Sequence, residues 1–156
     1  MVKMITRNLK NFLKTREVPY GVIRHAKRFT AQEIAAAEHV SGKDVAKVVM
    51  VNNGNRDAMF IIPGNRKLDL HKASEILGGS NVTTLPETEF KDLFPDCAVG
   101  AMPPFGKLYG ISAYVDRLLF QENKIYFNGG NHRESVEISG EDFRDIVNAE
   151  IGDFVA

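Results

Sequence analysis

The chain has a single cysteine, Cys97, among 156 residues, so no intramolecular disulfide can form. In "PDCAVG" this lone thiol reads first as a small buried hydrophobe rather than a nucleophile. Long apolar runs are missing too, since nothing approaches the roughly eighteen residues of a membrane span. Residues 1–17, "MVKMITRNLKNFLKTRE", lack the unbroken apolar segment of a secretory signal. A cytoplasmic protein without membrane attachment is the expectation. His25, His39, His71 and His132 show no metal-ligand spacing with one another or with Cys97, so no metal site is expected. Neither a Walker loop nor a G-x-G-x-x-G motif is present, which leaves no sequence support for a nucleotide cofactor. The net charge is zero, which argues against wholesale coating of nucleic acid.

A chain that is 44% apolar and 26% charged has ordinary globular composition, and its length suits one domain with a real core. The zero net charge hides an asymmetry. Residues 1–28 hold Lys3, Arg7, Lys10, Lys14, Arg16, Arg24, Lys27 and Arg28 against Glu17, a net +7. From residue 134 onward Arg144 stands alone against Glu134, Glu137, Glu141, Asp142, Asp145, Glu150 and Asp153, a net −6. Two readings stay open: solvated helix faces that pair with each other, or a localised basic entrance for a polyanion.

Helical and strand patterns alternate, without repeats or low-complexity linkers. Ile5, Leu9, Phe12 and Leu13 recur at helical spacing, and Pro19 stops that helix. "VPYGVIRH" reads as a short strand. Thr30 and Glu33 form a capping box for "TAQEIAAAEHV". "VAKVVMVN" and "DAMFIIP" read as strands joined by the hairpin signal "NGNR". Asp69 caps "LHKASEIL", "NVTTL" is a strand candidate, and Pro86 opens a short helix bearing Phe90, Leu93 and Phe94. "AYVDRLLF", "KIYFNGG" and "ESVEIS" are three consecutive strand candidates, and Ser139 caps a last helix through Phe143, Ile146 and Val147. With more strands than a regular βαβ alternation, an α+β domain around a mixed sheet is expected.

Four features stand out from this pattern. Lys47 interrupts "VAKVVMV", where both strand faces read as buried, so its ammonium must reach the sheet edge, pair with an acid or enter a polar cleft. Asp116 raises the same question in "AYVDRLLF". "FNGGN" at residues 127–131 reads as a tight turn, or as a place where a ligand approaches bare backbone. "GAMPPFGKLYG" at residues 100–110 is an apolar loop stiffened by Pro103 and Pro104, with Gly100 and Gly106 permitting close backbone approach. Met102 and Phe105 either bound a pocket or pack on the core. A hydrolase built from Ser135, His132 and Asp116 has little support, because no strand-turn-helix elbow surrounds that serine.

The order of "RHAKRFTAQEIA", "VAKVVMV", "RKLDL", "LFPDCAVGAMPPFG", "VDRLLF" and "YFNGGNH" resembles the YbaK/EbsC family, related to the editing insertion domain of bacterial prolyl-tRNA synthetases. The likeness runs over residues 18–154. It implies an α+β single domain at 18–156, with a mixed, mostly antiparallel, barrel-like sheet flanked by helices, preceded by a basic amphipathic helix at 1–17. The implied activity is trans-editing: hydrolysis of the ester joining a wrong, small amino acid to the terminal adenosine of a tRNA, without metal or cofactor. The implied partner is the acceptor end of a mischarged tRNA, with an aminoacyl-tRNA synthetase as a further one. A non-catalytic tRNA-binding or protein-interaction module on the same fold is the alternative.

Carried over residue by residue, the resemblance marks Lys47, Gly100, Asp116, Gly129 and Gly130 as catalytic. Tyr20, His25, Phe29, Met102, Pro104, Phe105 and His132 become substrate-binding. Family members that act on cysteine usually have threonine after the lysine, and Val48 stands there in this chain. The spacing from His25 to Thr30 resembles the alanine-specific group, so alanine on tRNA(Pro) is the favoured substrate.

Overall fold

The computed structural model describes residues 6–24, 41–79 and 81–156. Helix α1 (Arg7–Thr15) buries Leu9, Phe12 and Leu13, and Thr6 caps it by accepting from the Leu9 amide at 3.3 Å. Past its end, the Val18 amide returns to the Leu13 carbonyl at 3.0 Å, with Glu17 at a φ of 55°. Strand β1 (Gly21–Arg24) follows. The Thr30 capping box and its helix lie outside the described residues.

Strands β2 (Ala46–Asn52) and β3 (Asp57–Pro63) form the expected hairpin. In its turn the Asn53 side chain accepts from the amides of Asn55 and Arg56, both at 2.9 Å. Asp69 caps α2 (Leu70–Leu77), accepting from the His71 and Lys72 amides. The short strand β4 (Thr83–Thr84) and the single turn α3 (Glu87–Phe90) lead to the glycine-proline loop. Then come β5 (Ser112–Asp116), β6 (Lys124–Asn128), β7 (Glu134–Ser139), α4 (Gly140–Ile146) and β8 (Glu150–Gly152). Ser139 caps α4 as its spacing predicts, accepting from the Asp142 amide at 3.0 Å.

Two sheets result. One has the order β1-β7-β6, and the other β4-β2-β3-β5-β8. The antiparallel pairs β1–β7, β6–β7, β2–β3 and β2–β4 outnumber the parallel pairs β3–β5 and β5–β8. A bridge from Val45 to Tyr126 links the sheets, but they do not close into the expected barrel.

The five-stranded sheet is buried on both faces, which is why its strands read as nearly continuous apolar runs. Met59 and Ile61 of β3 face the larger core, with α1, α4 and the small sheet. Ala58, Phe60 and Ile62 alternate with them into a smaller core, with α2 and the C-terminal residues Phe154 and Val155. Each buried Phe or Ile side chain contributes about 1.5–3 kcal/mol relative to exposure.

Three elements differ from the sequence pattern. "AYVDRLLF" is a strand only to Asp116, whose carboxylate caps a tight helical turn at Arg117–Gln121. "NVTTL" reduces to two paired residues. Strand β8, in the acidic tail, was not expected at all.

Candidate functional site

The glycine-proline loop lies against the turn between β6 and β7. The Ala98 amide donates to the Gly130 carbonyl at 2.8 Å, and the Gly130 amide donates to the Ala101 carbonyl at 3.0 Å. His132 on the same turn places Nε2 2.6 Å from the Val99 carbonyl oxygen. Gly100 has a φ of 82° and Gly130 one of 97°, backbone conformations that glycine adopts without strain. A Cβ on Gly100 would stand 3.6 Å from His132 Cε1 and 3.5 Å from Glu87 Oε1. Gly100, Gly129, Gly130 and His132, distant in sequence, are thereby brought together.

The loop's own side chains turn inward. Phe105 is fully buried, with its ring centroid 4.8 Å from that of Phe12 and 5.2 Å from that of Phe127. Met102 is buried in the same core, and Pro104 is buried as well. Two consecutive prolines then leave few amides to satisfy, and those of Gly100 and Met102 donate to no described group. The stem of the loop is tied by a side-chain cluster: Tyr109 donates to Asp96 Oδ1 at 2.8 Å, and Cys97 Sγ lies 3.1 Å from the Tyr109 hydroxyl. Burial pushes the Cys97 thiol up to about 12, and burial together with Cys97 and Asp96 raises the Tyr109 phenol.

Lys47 and Asp116 form a separate pair of anchors. Lys47 alternates with Val49 and Val51, which face the smaller core, and its Nζ donates to the Arg66 carbonyl at 2.7 Å. Burial, and then the neighbouring charge of Lys67, lower its pKa. Asp116 is 1% exposed, with Oδ1 accepting from the Leu118 amide at 2.9 Å and Oδ2 from the Phe154 amide at 2.8 Å. Lys47 pairs with Ile62, and Ile61 with Val115, so Lys47 and Asp116 stand two strands apart, about 10 Å by strand spacing. Tyr20 is 37% exposed at the foot of α1. His25 and Phe29 lie outside the described residues.

Sequence reasoning passed over a buried polar group beneath the loop. Asn131, Glu134 and Ser135 are buried, and Asn131 Nδ2 donates to Glu134 Oε1 at 3.2 Å while Arg24 Nε lies 3.4 Å from Glu134 Oε2. Asn128 Oδ1 is buried with no hydrogen-bond partner among the described residues. The signal for Glu134 was the one that exposed Lys47, a charge in register with the buried apolar residues Val136 and Ile138.

Fold and site together define a class: an α+β domain that presents a stiff glycine-proline loop, braced from below by a second glycine turn, with two backbone amides that donate to no described group. Comparison with known families makes this specific. The profile of the aminoacyl-tRNA editing domain matches residues 25–146, and the chain belongs to that family. Two solved structures share its fold. A candidate trans-editing enzyme for prolyl tRNA synthetase is 23% identical, with 100% of this chain and 99% of that one covered and a TM-score of 0.84. The hypothetical protein APE2540 is 24% identical, with 96% and 100% covered and a TM-score of 0.85. None of the described helices is long and apolar enough to cross a membrane.

Proposed function

We propose that the protein is a free-standing aminoacyl-tRNA deacylase that hydrolyses the ester of a tRNA mischarged with a small amino acid, alanine on tRNA(Pro) before cysteine. The observation that carries this reading is the pair of unspent amides, Gly100 and Met102, on a loop fixed from below by the Gly129–Gly130 turn. Ester hydrolysis develops negative charge on the carbonyl oxygen, and donors already in place stabilise it without reorganisation. The Gly100 and Met102 amides supply those donors, and the bare Cα of Gly100 lets the ester approach. Water attacks the carbonyl carbon, the tetrahedral intermediate collapses by breaking its bond to the adenosine oxygen, and that oxygen leaves as a hydroxyl with a proton from the attacking water, freeing the amino acid. The mechanism uses no metal. Pro103, Pro104 and the inward Met102 and Phe105 keep the loop from yielding, so ordering entropy is spent in folding rather than at each turnover.

One observation favours the second reading, a tRNA-binding module without catalysis. The ammonium of Lys47 donates to the Arg66 carbonyl and both carboxylate oxygens of Asp116 accept from amides, so the two charged residues hold the chain itself. A deacylation panel separates the readings. The expected result, with purified protein in chelator, is release of alanine from Ala-tRNA(Pro) faster than cysteine from Cys-tRNA(Pro), with Pro-tRNA(Pro) spared. Lys47→Met tests whether the ammonium also meets substrate: a folded variant that loses about ten- to a hundredfold in rate, as for one charge-assisted hydrogen bond, assigns it that role, and an unchanged rate leaves it an anchor of the chain. No deacylation of any small aminoacyl-tRNA, with tRNA still bound, sinks the enzyme reading.

A further inference from the structure

Helix α1 carries Arg7, Lys10 and Lys14 at spacings of three and four residues, so the cations run along one face for about 10 Å. With Val18, Pro19 and Tyr20 they line a groove of about 840 Å³ in which Glu17 is the only acid among the described residues. None of the three cations forms an ion pair with a described residue. Arg7 stands in the first turn, where the positive end of the helix dipole disfavours a cation, and no acid offsets it there. Helix stability therefore accounts for Lys14, in the last turn, but not for Arg7. Nor does the acidic tail neutralise it, because among the described residues Asp153 pairs with Arg117 and α1 has no contact of that kind.

The helix that carries the groove is tied to the candidate site at its N-terminus and through its buried face. The Thr6 amide donates to the Gly129 carbonyl at 3.1 Å, and Phe12 on the opposite face of α1 packs on Phe105. We propose that this groove binds the phosphate backbone of an RNA strand, with the exposed ring of Tyr20 as a stacking face for a base. The inference rests on the deacylase reading in one respect only, that the RNA is the tRNA whose acceptor end reaches the Gly100 loop. Unpaired cations beside an exposed aromatic ring and an apolar floor suit a base next to its phosphate. The competing occupant is a second copy, through Glu141, Asp142 and Asp145 near its C-terminus.

The test uses the whole chain and uncharged tRNA, so it does not depend on catalysis. Fluorescence anisotropy across a salt series is compared for wild type, the double variant Lys10→Ala/Lys14→Ala, Tyr20→Ala, and Lys91→Glu, an exposed lysine outside the groove. Melting temperatures confirm folding. The double variant is expected to bind at least about tenfold more weakly at low salt, with a log–log salt slope shallower by about one per lysine removed. Tyr20→Ala is expected to weaken binding with the slope unchanged, and Lys91→Glu to behave as wild type. Hydrolysis of alanyl-adenosine, which has no phosphate strand, is expected to be the same in wild type, the double variant and Lys91→Glu. If no small ester is hydrolysed but the binding differences hold, the groove assignment stands and the deacylase reading falls. Equal affinity and slope in wild type and double variant overturn it. Salt-sensitive self-association in sedimentation, lost in the double variant while tRNA affinity is unchanged, assigns the groove to a second copy and overturns it as well.

Discussion

At the residue scale, environment rather than residue type sets the chemistry. Cys97 is the only thiol in the chain, yet burial and the Asp96 carboxylate oppose its ionisation, and the contact with Tyr109 only partly offsets them. Its pKa stands at about 12, against 9.0 for the unperturbed group. At pH 8 the folded protein is therefore expected to react with iodoacetamide roughly two to three orders of magnitude more slowly than the urea-unfolded chain. The linkage has a definite sign. Between pH 9 and 12 the unfolded thiol is ionised and the folded one is not, so the unfolded state binds fewer protons and stability falls as pH rises. A rapid alkylation rate in native buffer would show that the Asp96–Cys97–Tyr109 cluster is open. Asp116 is the converse case. A carboxylate that looks catalytic in a strand is fully engaged as a cap for one turn and an anchor for the Phe154 amide.

At the element scale, helix α1 and the Gly129–Gly130 turn are one structural unit. A Cβ on Gly130 would collide with the Cγ2 methyl of Thr6, whose hydroxyl caps α1. Gly130→Ala therefore combines left-handed backbone strain of about 1–2 kcal/mol with disturbance of a cap worth about 1 kcal/mol. The expected loss is about 2–3 kcal/mol in urea unfolding. Thr6→Ser removes the methyl and keeps the hydroxyl, so the double variant is expected to recover the cap portion and leave the strain. A double-mutant cycle reads this as a coupling of about 1 kcal/mol. Strict additivity would mean that the helix and the turn do not touch.

At the scale of the whole molecule, the second face of the large sheet is closed by the chain's last residues. Phe154 meets Phe60 edge-on at 5.0 Å, and the Asp69 amide donates to its carbonyl at 2.8 Å. Phe154→Ala is expected to destabilise by about 3–5 kcal/mol, the range for a buried phenylalanine, with Tm and urea midpoint as the measurement. A shift under about 1 kcal/mol would make the smaller core dispensable. The sequence by itself determined what depends on neighbours along the chain. Period and caps placed α1, α2 and α4, the Asn-Gly signal placed the β2–β3 hairpin, and the ordered motifs indicated the editing-domain family. Strand β8, the open sheets and the end of β5 at Asp116 were not legible, because each depends on a partner that no local signal names. Ile151, which pairs with Val115, carries no pattern of its own. The candidate site divides along the same line. Glycine and proline made the loop readable as stiff, since their backbone limits are intrinsic. Only the tertiary structure decided that Gly100 and the Gly129–Gly130 turn share one surface while Lys47 and Asp116 brace another. That depends on which face each strand presents after two sheets and a C-terminal tail have packed, and side-chain alternation gives the parity of a face but not what covers it.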